Sequence, residues 1–318
     1  MREFDETAAA AARNRQAELT KPPGSLGRLE ELAIFLAGWQ GRARPQLDRV
    51  QALVFAGNHG ICDQGVNPFP VEVTAQMVTN FKNGGAAINQ LCQLAGADLQ
   101  VIAMDLERPT RDFTRAMALD TDDLIASIQT GKNAVGPEAD VILLGEMGIG
   151  NSTVAAALAA ATFGGTAEDW VGPGTGADDE ILANKIRAVD AGLKRHKGAA
   201  SAASILGSYG GREQAAICGA VIRARELGIP VILDGFICSA AAGVLLVNDK
   251  QALDHCLVGH ESAEPGHRRL VAVMGKKPVV GLDMRLGEGS GAAVALLILR
   301  AAVACHNGMA TFAEAGIG

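Results

Sequence analysis

The sequence predicts an α/β protein: one open parallel β-sheet with helices on both faces, plus a small helical subdomain built from the N-terminal segment. Three observations predict it. Short β-branched or apolar runs alternate with longer helical patterns along most of the 318 residues, and such alternation implies parallel pairing through right-handed crossovers. Hydrophobic residues make up 48% of the chain but aromatics only 4%, a mixture suited to helices packed closely on a sheet. Most of the apolar runs end in glycine or a polar residue, and ligands in open parallel sheets bind beyond the carboxyl ends of the strands.

Residues 5–19 are alanine-rich and charged and read as a surface helix, stopped at Lys21-Pro22-Pro23-Gly24 because proline cannot continue it. A second helix restarts with Ser25 as its N-cap and runs to about residue 38. Residues 1–45 are therefore expected to form the small subdomain, with the C-terminal helices as candidate partners, and 46–318 the main domain. The expected strands are Val50–Ala56, Leu99–Met104, Val141–Gly145, Pro230–Asp234, Leu257–Gly259 and Val279–Leu282. The expected helices are Val73–Leu94, Ser152–Thr162, Asp179–Lys197, Glu213–Leu227, Ser239–Val247, His267–Met274 and Gly291–His306.

Several function classes are disfavoured. A formal net charge of −7 argues against a general nucleic-acid binder, and a single tyrosine with few other aromatics provides no stacking platform. Six cysteines at 62, 92, 218, 238, 256 and 305 show no C-x-x-C spacing and read as core thiols of a reducing compartment. The N-terminal stretch is too charged for a signal peptide, and Arg300 interrupts the longest apolar run. A cytoplasmic location with no membrane span is the expectation.

The turns after the expected strands carry the chemistry. Gly57-Asn58-His59-Gly60 offers a histidine that either orients a substrate or only holds its own turn. Gly145-Glu146-Met147-Gly148-Ile149-Gly150-Asn151-Ser152 lets backbone approach a ligand, with Asn151 or Ser152 able to cap the next helix. Val171-Gly172-Pro173-Gly174-Thr175-Gly176-Ala177-Asp178-Asp179 is a candidate phosphate cradle; its aspartates read as helix caps or Mg²⁺ ligands. Lys185, on the following helix, either swings back to a phosphate or is solvated. Leu233-Asp234-Gly235-Phe236 is a further turn, and His260 to His267 matches no zinc spacing. Glu288, in the Met284–Gly291 stretch MRLGEGSG, reads as a desolvated proton acceptor or as a helix-start acid favoured by the dipole. Neither a Walker motif nor a dinucleotide fingerprint is present.

Taken in order, these stretches resemble the nicotinate-nucleotide–dimethylbenzimidazole phosphoribosyltransferase family of cobalamin biosynthesis. The matching segments are KPPGSLGRLE (21–30), GNHGI (57–61), VTAQMV (73–78), GEMGIGNST (145–153), GTGADD (174–179), LDGFICSAAA (233–242), SAEPGH (262–267) and RLGEGSGAA (285–293). The resemblance implies a Rossmann-like sheet, a homodimer, and a reaction. Nicotinate mononucleotide and dimethylbenzimidazole would give α-ribazole 5′-phosphate and nicotinate, with no cofactor and no metal. It implies Glu288 as catalytic base and Glu146 as the second carboxylate. It further implies a phosphate site at Gly148, Gly174 and Lys185, and a base slot lined by Phe69, Met77, Met147 and Leu286. The rival expectations are a related transferase using another lower-ligand base, and a non-catalytic nicotinate mononucleotide sensor.

Overall fold

The computed structural model describes residues 2–174 and 176–317. Its main sheet has five parallel strands: β1 (Val50–Ala56), β2 (Asp98–Ala103), β3 (Val141–Met147), β4 (Val231–Leu233) and β5 (Cys256–Val258). Their order is β2-β1-β3-β4-β5. The chain first moves outward from β1 to β2 and then returns past β1 to β3. The connections leaving β1 and β3 therefore diverge, and a crevice opens between them at the carboxyl edge.

Alternation along the strands shows why helices cover both faces. Ala52, Val54, Val141, Leu143, Ile232 and Leu257 enter one core with Ile88, Leu296 and Leu299. Their neighbours Leu53, Phe55, Ile142, Leu144, Val231 and Leu233 enter another, with Ile217, Ala220 and Val221. Successive side chains of a strand point to opposite faces, so both faces are apolar and both must be buried. A third core gathers around the alanine-rich helix Asn151–Phe163, with Trp170 and Tyr209.

The N-terminal helices Glu6–Glu18 and Arg28–Gln40 pack on each other, and the second packs on the long helix Ser290–Gly308. Arg15 ties the termini together by donating to the carbonyls of His306, Asn307 and Met309. The Ser290–Gly308 helix is 19 residues long and apolar enough for a membrane span by length and composition. Here it is a core helix: Leu296 and Leu299 are fully buried against the sheet, and Arg300 donates to the carbonyls of Ala95, Leu47 and Gly96.

Several boundaries differ from expectation. The segment Val73–Leu94 is two helices, Val73–Lys82 and Ala87–Ala95, because Asn83-Gly84-Gly85 breaks it with Gly84 at φ +76°. Ser25 does not cap the second helix, which starts after Gly27 without a side-chain cap; Glu30 instead accepts from the Leu26 N–H and from Lys21. Ser239–Val247 is a helix over Phe236–Gly243 followed by a 3-10 turn over Val244–Val247. Val279–Leu282 reduces to β7 (Val280–Gly281), paired with β6 (His260–Glu261) in a separate two-stranded sheet. Three helices were not anticipated, Thr121–Ala134, Ala202–Tyr209 and the short Phe312–Ala315. The first contains Gly131, a poor helix former, yet a Cβ there would collide with the Ala216 carbonyl of the helix Arg212–Leu227. Close helix packing, invisible to propensity, decides that element.

Candidate active site

The segment 66–77 after β1, the turns after β3 and β4 and the residues 285–288 line a cavity of about 350 Å³ at the carboxyl edge. Its geometry starts from close backbone approach. A Cβ on Gly145, within β3, would lie 2.5 Å from the Gly289 nitrogen and 2.7 Å from the Glu288 carbonyl carbon. Glycine at 145 thus lets the loop lie directly on the strand. In that loop Gly287, Glu288 and Gly289 all take left-handed backbone, with φ of +84°, +64° and +85°. For a non-glycine residue this costs about 1–2 kcal/mol. The loop is held by Asp234, at the end of β4, whose carboxylate accepts from the N–H groups of Gly289 (3.1 Å) and Ala292 (2.8 Å). An acid from another strand thereby caps the helix Ser290–Gly308 and fixes the turn that presents Glu288.

Two carboxylates meet at this end. Glu146, the penultimate residue of β3, is buried and accepts from Asn151 Nδ2. Burial first, then Asp234 and Glu213, push its pKa up to about 8. Glu288 is also buried, and burial with the nearby Asp234 raises it to about 7. A Cβ on Gly287 would sit 2.6 Å from Glu146 Oε1, so the two carboxylate-bearing segments touch. Such values suit proton transfer near neutrality.

A buried lysine also lines the cavity. Lys185, on the helix Asp179–Arg195, is only 2% exposed, and its Nζ donates to the Gly172 carbonyl (2.7 Å) and to Ser152 Oγ (3.1 Å). The solvated reading of this lysine is therefore wrong; Gly172, Gly174 and Ser152 pack against its head. Arg285 donates to the Gly174 carbonyl at 2.8 Å. In the same lining Met77 and Met147 are half-buried, while Phe69 and Leu286 are 46% and 47% exposed. These four give the cavity an apolar side.

A family model described as phosphoribosyltransferase matches residues 1–317. A nicotinate-nucleotide–dimethylbenzimidazole phosphoribosyltransferase of Rhodobacter capsulatus is 59% identical over 313 residues, covering 98% of this chain and 93% of the relative. The chain belongs to the nicotinate-nucleotide–dimethylbenzimidazole phosphoribosyltransferase family. A relative of the same name from Ruegeria pomeroyi is 57% identical with the same coverage. A crystal structure of such an enzyme from Thermus thermophilus superposes with a TM-score of 0.91 at 37% identity, over 99% of both chains. The α/β architecture expected from the sequence is that of this family.

All nine residues singled out in the sequence line the one cavity: Glu146, Glu288, Gly148, Gly174, Lys185, Phe69, Met77, Met147 and Leu286. His59 and Asp178 lie outside it. His59 lies behind the wall, buried, with Nε2 3.1 Å from Glu213 Oε1 but out of line for a hydrogen bond. Asp178 accepts from the Ile181 N–H and is a helix cap. Neither Asn151 nor Ser152 caps its helix; Asn151 serves Glu146 and Ser152 serves Lys185. Among the described residues, no group of three or more acidic, histidine or cysteine side chains is arranged for a metal ion. Asp234 and Glu264 were missed. Both sit in turns the sequence marks, but only the packing of β4 against the 285–293 segment, and of Glu264 against Gly172, gives them a partner.

Glu146 makes a stability prediction. Its folded pKa lies above the ordinary 4.5, so the folded state holds the proton more tightly than the unfolded chain. Stability from this group is complete below about pH 4.5 and lost as pH rises through about 8. At pH 8.5, Glu146→Gln should therefore be more stable than the parent, on the order of 2–4 kcal/mol. Thermal melts at pH 5 and pH 8.5 check this: the Tm gain should appear only at the higher pH.

Proposed function

We propose that this chain transfers the phosphoribosyl group of nicotinate mononucleotide to dimethylbenzimidazole, with Glu288 as proton acceptor. The observation that carries the reading is the lining of one cavity: the buried carboxylates Glu146 and Glu288, the buried Lys185, and the apolar side chains of Phe69, Met77, Met147 and Leu286. The mononucleotide phosphate meets Lys185 and the glycine turns at Gly148 and Gly174. The base enters past Phe69, Met77, Met147 and Leu286. One benzimidazole nitrogen attacks the anomeric carbon as the carbon–nitrogen bond to nicotinate breaks. That attack makes the ring cationic and acidifies its remaining N–H. Glu288, held up to about 7, is substantially ionised at neutral pH and accepts this proton. Glu146, held up to about 8, is mostly protonated there and is the weaker candidate base. Its role is to hydrogen-bond the ribose or to shift toward carboxylate as positive charge develops on the sugar. Nicotinate leaves from a pyridinium as a neutral ring nitrogen, so its departure needs no acid. Asp234 acts through the loop it anchors.

A cytoplasmic location and a homodimer belong to the same reading; the unpaired state of all six cysteines supports a reducing compartment.

The test is product formation. Purified protein with both substrates should release nicotinate and α-ribazole 5′-phosphate in equal amounts, with little nicotinate when the base is omitted. Binding of the mononucleotide without turnover on any azole would point to a sensor instead. Lys185→Ala should weaken mononucleotide affinity roughly 10- to 100-fold by removing a charge-assisted partner. Calorimetric titration measures this, and an unchanged Kd would take Lys185 out of the phosphate site.

A further inference from the structure

Glu264 has no role in the chemistry above, yet it lies in the cavity wall beside Lys185. We propose that Glu264 is a phosphate-binding residue that carries a proton in the nucleotide complex and donates it to a phosphate oxygen, so that nucleotide binding takes up a proton from solvent. This rests on the placement of the phosphate at Lys185.

The geometry argues for it as follows. Lys185 and Glu264 converge on Gly172. The lysine Nζ donates to its carbonyl at 2.7 Å, and a Cβ on this glycine would collide with Glu264 Oε2. Glu264 is only 7% exposed, and its Oε1 is buried with no hydrogen-bond partner among the described residues. An orphaned buried acceptor is costly and marks a site awaiting a partner. Before nucleotide binds, each of Lys185 and Glu264 favours the other's charged form, against burial that lowers the lysine and raises the acid. A phosphate dianion placed on Lys185 would add two negative charges beside a buried carboxylate. Like charges at one site favour binding a proton between them, and burial, which already raises Glu264, favours the carboxyl over a phosphate held by Lys185. A protonated Glu264 then has an O–H to give to the phosphate, which also resolves its unpaired oxygen.

Other groups around Glu264 leave this balance intact. Lys185, the Gly174 N–H and Arg285 favour its charged form, but burial outweighs them and raises its pKa before any ligand arrives. Arg285 is exposed at the rim. His267, on the same turn, is held down to about 3 by burial and by His260, and its Nδ1 already accepts from the Ser262 N–H. His260 faces Asp234 instead.

The experiment is calorimetric titration of nicotinate mononucleotide at pH 8, repeated in two buffers of different ionisation enthalpy. A phosphate monoester, with its second pKa about 6, is already a dianion there. The parent should take up close to one proton, and its Kd should weaken up to tenfold per pH unit between pH 8 and 9. Nicotinate riboside, lacking the phosphate, should bind with no uptake. Glu264→Gln mimics the protonated acid and should bind the mononucleotide without that uptake and with a flat pH profile. The same uptake and slope in Glu264→Gln as in the parent would overturn the proposal, as would parent binding with no proton uptake. Failure of the underlying reading looks different: Lys185→Ala would then leave the preference for mononucleotide over riboside unchanged. Should Glu264→Gln not fold, the comparison of mononucleotide with riboside on the parent still decides.

Discussion

Replacing Glu288 with glutamine should lower kcat by about 10²–10⁴-fold, the range for loss of a positioned general base, while mononucleotide affinity stays within a few-fold. Glutamine keeps the shape and the left-handed backbone at φ +64° but cannot accept the proton. The pH profile adds a second signature. In the parent, kcat/KM should rise with pH to a plateau, with a midpoint near the value of about 7 to which burial and Asp234 raise Glu288. Below it the acceptor is already protonated; above it the carboxylate is available. In Glu288→Gln that limb should disappear from the residual rate. Steady-state kinetics from pH 5.5 to 9 check both, and a parent-like rate would transfer the base role to Glu146 or to water.

Gly145→Ala should be nearly as damaging for activity, though no catalytic group changes. The new methyl would meet backbone, the Gly289 nitrogen at 2.5 Å and the Glu288 carbonyl carbon at 2.7 Å. Backbone there cannot rotate away, because Asp234 holds the N–H groups of Gly289 and Ala292. The loop must lift from β3 and carry Glu288 with it. Overpacking of this kind costs about 1–3 kcal/mol of stability, but misplacing a catalytic group by about 1 Å can cost roughly 10²-fold in rate. Loss of turnover should therefore exceed what the drop in Tm suggests, with mononucleotide binding largely kept. Kinetics, thermal melts and titration on the one variant separate these effects. Full activity would mean the loop tolerates displacement.

The sheet was legible because β1 and β3 are buried on both faces and read as mostly apolar runs. The glycine-rich turns that end β1 and β3, and the glycines around Glu288, mark places where backbone meets backbone or ligand. Their shared edge follows from parallel topology. Other features depend on the third dimension. The helix Thr121–Ala134 exists because Gly131 and Gly219 allow backbone-to-backbone packing against its partner helix, an arrangement no local pattern encodes. Lys185 reads as a solvated lysine on a charged helix until Gly172 and Ser152 close on its head. His59 and Glu213, 154 positions apart, become neighbours only after β1 and the helix Arg212–Leu227 are placed. Asp234 shows the same limit: its turn is visible, but its task of fixing the Glu288 loop requires the loop to be there.

The central claim is that Glu288 removes the N–H proton of the attacking base, and an acceptor with no such proton isolates that step. With 1,5,6-trimethylbenzimidazole the product stays cationic and no base is required. The account predicts that Glu288→Gln, crippled with dimethylbenzimidazole, turns over the N-methylated acceptor at nearly the parent's rate. An equal loss with both acceptors would contradict it, and would make Glu288 an electrostatic or positioning group rather than the proton acceptor.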